Sequence, residues 1–281
     1  MNRVFVVGCS RSGTTLIQSR LALHSSATSF PETQFFVKLL RTRKARLLEK
    51  LDYAPRTYQR SLLRLREILP GDLVDDAFEG RTGSFKALVE GYVTLLDSIA
   101  QARNRTTWIE KSPRHCFHVR TIQKRIPDAK FLHVLRDGRE VAASIRGRAL
   151  RWPEQFGKQH TPDYAIRLWN RAVQVSADCI RRPGHLLVFY EDFVTQPQIE
   201  LCRICDFLRL DFEADMLETD GGTVDCIVEA HEGWKANAMR QITLTARRFQ
   251  RSFTDEEQAY LRERLNLPLF EHLRASSGGN A

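Results

Sequence analysis

The chain has 281 residues, 42% of them hydrophobic and 27% charged, which suits a soluble globular protein with one large α/β domain. Its formal net charge of +9 calls for anionic partners, but charge alone does not separate nucleic acid, acidic membranes, acidic glycans and phosphorylated small molecules. No apolar run is long enough to span a bilayer, and MNRVFVVGCSRSG lacks the long apolar core and cleavage site of a signal peptide, so a cytoplasmic location is expected.

Residues 3–8 (RVFVVG) predict a short buried strand. The loop Gly8-Cys9-Ser10-Arg11-Ser12-Gly13-Thr14-Thr15 follows it and opens a helix over 14–24. Glycines let backbone approach an anion, and the first N–H groups of a helix have no intrahelical partner. The spacing is that of a phosphate-binding loop, G-x4-G-x-[ST], rather than a plain strand–turn–helix junction. One departure matters. Thr14 stands where a nucleotide hydrolase carries Lys, and the positive charge lies in the loop at Arg11, which argues against ATP chemistry.

Residues 25–33 (SSATSFPET) read as a turn, and 33–51 as one basic amphipathic helix. Further helices are expected over 56–103, broken near Pro70-Gly71 and between Gly80 and Gly83. Residues 107–111 (TWIEK) predict a second strand, 118–127 a helix stopped by Pro127, and 129–136 a third strand with a helix from 139. A helix over 164–180, a strand over 185–191, a helix through 199–208 and another near 254–265 complete the pattern. Strands alternating with helices predict a three-layer α/β fold, a parallel sheet with helices on both faces. With no composition break, residues 1–281 read as a single domain with a helical insertion at about 37–105.

Of six cysteines, at 9, 116, 179, 202, 205 and 226, Cys202 and Cys205 form a CxxC. No second pair and no nearby His completes a zinc set, so these two read as helix cysteines.

Arg136 ends the third predicted strand, where open α/β sheets bind ligands, and Ser144 lies eight residues on, within a helix. A guanidinium fits phosphate because its planar fork makes two parallel charged hydrogen bonds. Here a resemblance enters. The run VGCSRSGTTLIQSRLALHSS resembles the phosphosulfate-binding loop of sulfotransferases that use 3′-phosphoadenosine 5′-phosphosulfate (PAPS), in its R-S-G-T-T form. The resemblance implies a fold like that of the P-loop nucleoside-triphosphate hydrolases and a PAPS donor needing no metal. It also implies that Arg11, Ser12, Gly13, Thr14 and Thr15 grip the 5′-phosphosulfate.

Residues 131–144 resemble the family's 3′-phosphate element, which assigns Arg136 and Ser144 to that phosphate. Arg139 is then either a supporting partner or a salt bridge to Asp137. The stretch LVFYEDFV, with Pro197 and FLRL after it, resembles the family's strand-YEDL-helix-FLGL segment and sets Tyr190 beside the nucleotide; a core Tyr at a strand end is the other reading. Glu232-Gly233-Trp234-Lys235 resembles a loop that covers the donor, with Lys235 as its cation, or else is an exposed Lys beside a core Trp. These matches cover 3–36, 107–145 and 185–210, and leave 37–105 and 146–184 unmatched.

Sulfuryl transfer needs cations on the developing charge, an in-line acceptor and a base for the acceptor proton. Arg11 is the loop cation. Lys111, in IEKSP, resembles the family's lysine in a K-[ST]-P element, although a surface Lys before a Pro turn reads the same way. Glu32, in FPETQFF, stands where tyrosylprotein and related sulfotransferases have their base. His115 is the rival base, or a surface histidine at a helix start, and His133 reads as core. Two other functions compete: a P-loop small-molecule kinase using ATP and magnesium with the YED acids at 190–192, and a basic nucleic-acid-binding protein using RTRKARLLEK, which lacks an aromatic platform. The acceptor, whether small molecule, glycan or peptide, is not legible in the sequence, nor is the oligomeric state.

Overall fold

Five parallel strands make the sheet of the computed structural model, which describes residues 1–218 and 248–277. They are β1 (Asn2–Gly8), β2 (Ala27–Ser29), β3 (Thr107–Lys111), β4 (Lys130–Leu135) and β5 (His185–Phe189), in the order β2-β3-β1-β4-β5. The chain leaves central β1 for the β2 edge, returns through β3 and then crosses to β4. The order therefore reverses beside β1, and the crevice at a reversal is where such sheets bind ligands.

Side chains alternate across the sheet and build two cores. Val4, Val6, Ile109, Leu132, Val134 and Val188 face α1 (Thr14–Leu21) and a later helix, Pro197–Leu208. Phe5, Val7, Trp108, Phe131, Leu135 and Phe189 face the larger core on the other side. Between β2 and β3 run α2 (Phe35–Leu39), α3 (Arg43–Lys50), α4 (Tyr58–Ile68), α5 (Gly71–Phe78) and α6 (Phe85–Ala102). A 3-10 turn, Pro113–His118, and α7 (Val119–Arg125) lead to β4; α8 (Gly138–Arg151), α9 (Pro153–Phe156) and α10 (Pro162–Cys179) lead to β5. α11 (Tyr190–Thr195) and α12 (Pro197–Leu208) follow, and Arg248–Ser252, Asp255–Arg264 and Leu267–Ser277 are helical near the end. Among the described residues no helix is long and apolar enough to cross a membrane.

Two expectations need correction. The stretch 25–33 contains β2, because Ala27, Thr28 and Ser29 pair with Thr107, Trp108 and Ile109. Its small polar residues give no strand signal by themselves; pairing to a buried neighbour supplies it. The single helix expected over 33–51 is two, since Thr42 caps α3 by accepting from Ala45 N at 3.0 Å and so starts a new helix. The CxxC lies in α12, where Cys205 is buried and Cys202 half-buried, both as free thiols.

His133 sits fully buried on β4, its Nδ1 3.0 Å from Ser176 Oγ and its Nε2 3.0 Å from His185 Nδ1 on β5. Burial, helped by His185, pulls the His133 imidazole down to about 3; burial, helped by Arg182, pulls His185 down to about 4. Both rings are therefore neutral in the fold, whereas an unfolded histidine titrates near 6.5. Between about 6.5 and 4 the unfolded chain binds the extra protons, so stability is complete above this window and falls as pH drops through it. Urea unfolding at pH 7 and at pH 5 should show a loss of roughly 1 kcal/mol per pH unit for each histidine. The variant His133→Gln/His185→Gln should flatten that slope whatever its stability at pH 7; an unchanged slope would refute the assignment.

Candidate active site

The loop after β1 is shaped by two glycines and one strained arginine. Gly8 packs on β4 so closely that a Cβ there would lie 2.3 Å from the Val134 carbonyl oxygen. Gly13 ends the loop at φ 93°, and a Cβ there would lie 2.2 Å from the Tyr190 ring. Arg11 itself adopts φ 78°, a left-handed conformation uncommon outside glycine. Helix α1 begins at Thr14 with no side-chain cap, so its first N–H groups face the crevice as donors for an anion. Ser12 and Thr14 are buried, and Ser12 Oγ finds no hydrogen-bond partner among the described residues. Thr15 is half-buried at the same helix start.

The end of β4 brings a second set of groups to the loop. Arg11 Nε donates to Ser144 Oγ on α8 at 3.1 Å. Arg136 is 8% exposed; its guanidinium lies 4.1 Å from the Tyr190 ring centroid, and its Nε is also without a partner. Its nearest acid, Glu140, is 4.0 Å away. Arg139 instead turns to Asp137 and pairs with it. Loop, β4 end and β5 end thus converge on one place through Arg11, Ser144, Arg136 and Tyr190.

Cations outnumber acids there. Burial pulls the Arg11 guanidinium down to about 10, and Arg148, Arg248 and Arg136 push it the same way, opposed by Glu32. Arg148 is also lowered by burial; it donates to Gln159 Oε1 at 2.6 Å, stacks 4.2 Å from the Phe156 ring and has an Nε without a hydrogen-bond partner among the described residues. Buried guanidinium groups with donors to spare are costly unless an anion meets them. The site therefore fits a polyanion, on the evidence of Ser12 Oγ, Arg136 Nε and Arg148 Nε together.

Glu32 lies close enough to Arg11 and Arg148 to act on both charges. Lys111, fully buried at the end of β3, donates to Glu32 Oε1 at 2.6 Å. Arg64 on α4 grips the Glu32 carbonyl oxygen through Nε at 3.1 Å and Nη2 at 2.9 Å. The next residue, Thr33, is held by Glu110, whose Oε1 accepts from Thr33 Oγ1 at 2.8 Å and from Ser112 Oγ at 2.5 Å. Ser112 Oγ in turn accepts from Gln34 N at 2.9 Å.

His115 is not a surface residue. It is fully buried, its Nδ1 lies 3.0 Å from Glu110 Oε2, and its Nε2 accepts from Phe36 N at 3.2 Å. That pattern assigns the neutral tautomer with the proton on Nδ1, and both ring nitrogens are occupied inside the core. Glu191 Oε1 accepts from Asp137 N at 3.0 Å, and Asp192 pairs with Arg274, so the acids after Tyr190 serve neighbouring segments. Among the described residues no group of three or more His, Cys, Asp or Glu side chains is placed to hold a metal ion. Lys235 and the segment around it lie outside the described residues.

Sequence reading missed Arg148, Arg64 and Glu110. Arg148 had a signal, since it stands four residues after Ser144 on one face of α8. Arg64 had none, because the Glu32 carbonyl it holds is 32 residues away; Glu110 has near partners in Ser112 and His115, but its tie to Thr33 spans 77 residues.

The family model described as the sulfotransferase family matches residues 3–214. The chain is 25% identical over 219 residues to protein-tyrosine sulfotransferase A of Caenorhabditis elegans, covering 76% of this chain and 51% of that protein. It thus spans about half the length of that relative. Among solved structures, the sulfotransferase domain of the Synechococcus PCC 7002 olefin synthase superposes with a TM-score of 0.53 at 23% identity, covering 93% of each chain. A mouse sulfotransferase complexed with PAP superposes with a TM-score of 0.53 at 12% identity, covering 93% of this chain and 82% of that one. The fold is the P-loop nucleoside-triphosphate-hydrolase-like fold of these proteins.

The contact between Gly13 and Tyr190 can be tested directly. Gly13→Ala should cost about 1–3 kcal/mol in urea unfolding, since the new methyl meets the ring and the backbone is left-handed. Gly71→Ala, where a Cβ meets nothing within 4 Å, should be neutral or slightly stabilising. Equal effects at the two positions would contradict this packing.

Proposed function

The chain belongs to the sulfotransferase family, and we propose that it transfers the sulfuryl group of PAPS to a hydroxyl or amine of an acceptor, with Glu32 as the base. The observation that carries this reading is the cluster of Arg11, Arg136 and Arg148 around the β1 loop, with guanidinium and hydroxyl donors unused. The donor supplies an activated sulfur bonded through oxygen to its 5′-phosphate. Gly13, Thr14 and Thr15 offer N–H and hydroxyl donors to that end, and Arg136 with Ser144 takes the 3′-phosphate. Arg148, on the same face of α8 as Ser144, adds a cation that the sequence reading did not include.

Glu32 accepts the acceptor's proton as the acceptor atom bonds to sulfur and the bond from sulfur to the leaving oxygen breaks. Lys111 and Arg11 neutralise the charge that builds on the leaving oxygen. The Lys111–Glu32 contact of 2.6 Å supports a shared task, because a lysine drawn toward the donor releases the carboxylate toward the acceptor. Lys235 is proposed as a further donor contact on the resemblance alone. A cytoplasmic location is proposed on the sequence expectation and not on the resemblance, and the acceptor class is left to a transfer screen with labelled PAPS.

Two variants separate the roles. Arg136→Ala should lower affinity for PAP by roughly 2–5 kcal/mol in calorimetry, as expected for a bound phosphate that loses its buried partner. Glu32→Gln should leave PAP affinity near normal while transfer falls about 10²–10⁴-fold. A thermal shift with ATP and magnesium but none with PAP would overturn the donor assignment and restore the kinase reading. Loss of PAP binding in Glu32→Gln would overturn its role as base.

A further inference from the structure

Helix α3 is turned the reverse way from a core-packing helix. Its inward face carries Ala45 and Glu49, both buried. Arg125 Nη2 donates to the Glu49 carbonyl at 3.0 Å, and the guanidinium pairs with the Glu49 carboxylate at 3.6 Å and with Asp52 at 2.7 Å. The acids of this segment are thus spent on the protein side. Leu48 is half-buried, but two leucines point out: Leu47 is 60% exposed and Leu51, one turn on, 61%. On the helical period, Arg43 and Lys50 flank this pair on one side and Lys44 on the other, with Arg46 farther round. All four cations are exposed, and none has an acidic partner among the described residues.

Unpaired cations alone would be an ordinary solvated face. Leucines alone would suit a protein contact. Leucines centred between cations are the pattern of a helix lying in an anionic membrane interface, with the apolar row at the boundary of headgroups and chains and the Lys and Arg ends against phosphates. Nucleic acid meets the charge but not the leucines, since single strands are held by planar stacking surfaces. A second copy of this face would set cations against cations. We propose that α3 docks the protein reversibly on an anionic lipid surface through Leu47 and Leu51.

The full chain should sediment with phosphatidylcholine vesicles containing phosphatidylserine, not with pure phosphatidylcholine vesicles, and binding should weaken as salt rises. Leu47→Ser/Leu51→Ser keeps every charge and should weaken vesicle binding about tenfold. Both side chains are exposed, so the melting temperature should hold. Arg43→Gln/Lys50→Gln provides an independent arm and should also lose binding to the anionic vesicles. Equal binding to neutral vesicles, or unchanged binding of the leucine variant, overturns the proposal. So does an RNA oligomer that binds wild type and the leucine variant alike and outcompetes the anionic vesicles.

Discussion

Glu110 lies fully buried at the end of β3, and its carboxylate is the tie between the sheet and the segment that carries Glu32. Its oxygens meet Thr33, Ser112 and His115, and through Ser112 and His115 it reaches the backbone of Gln34 and Phe36. Burial alone would push this carboxyl up, but His115 and the hydrogen bonds from Ser112 and Thr33 hold it below the ordinary range. A buried anion is tolerated only when its donors are in place, so the network is exacting about geometry. In sequence Glu32 adjoins one member of it, Thr33, and Lys111 lies between two, Glu110 and Ser112. Their contact is accordingly set by the core and not by two mobile side chains meeting at a surface.

The arginine-bearing side of the site is built on the reverse principle. There, cations are gathered and left short of acids. Arg148, Arg248 and Arg136 act on Arg11 together, and the opposing charge is Glu32. Such an arrangement strains the free protein electrostatically. It is relieved when a polyanion enters, and more charge entering relieves more of it. Two phosphate-bearing ends arriving together suit this wall better than one.

Much of this was legible in the sequence because it is local. The strand–loop–helix from β1 to α1 declares itself through Gly8, Gly13 and the threonines within a few residues, and Arg136 with Ser144 lies within one strand–helix unit. The alternation of Val and Phe along β1 and β4 gives the two buried faces. What was not legible is long-range. Nothing near Arg64 says that it will hold the Glu32 carbonyl from α4, and nothing near His115 says that a buried carboxylate and the Phe36 amide will occupy its ring. β2 was hidden for the same reason: three small residues become a strand only because β3 lies beside them.

Tyr190 touches both halves of the site at once. One side of its ring leaves no room for a Cβ at Gly13, and the Arg136 guanidinium lies 4.1 Å from its centroid. The ring is therefore a spacer that sets the gap between the β1 loop and the end of β4. Substitutions at Gly13, Arg136 and Tyr190 should be strongly non-additive, because each moves the same plane. Over evolutionary time these three positions are free to change only as a set.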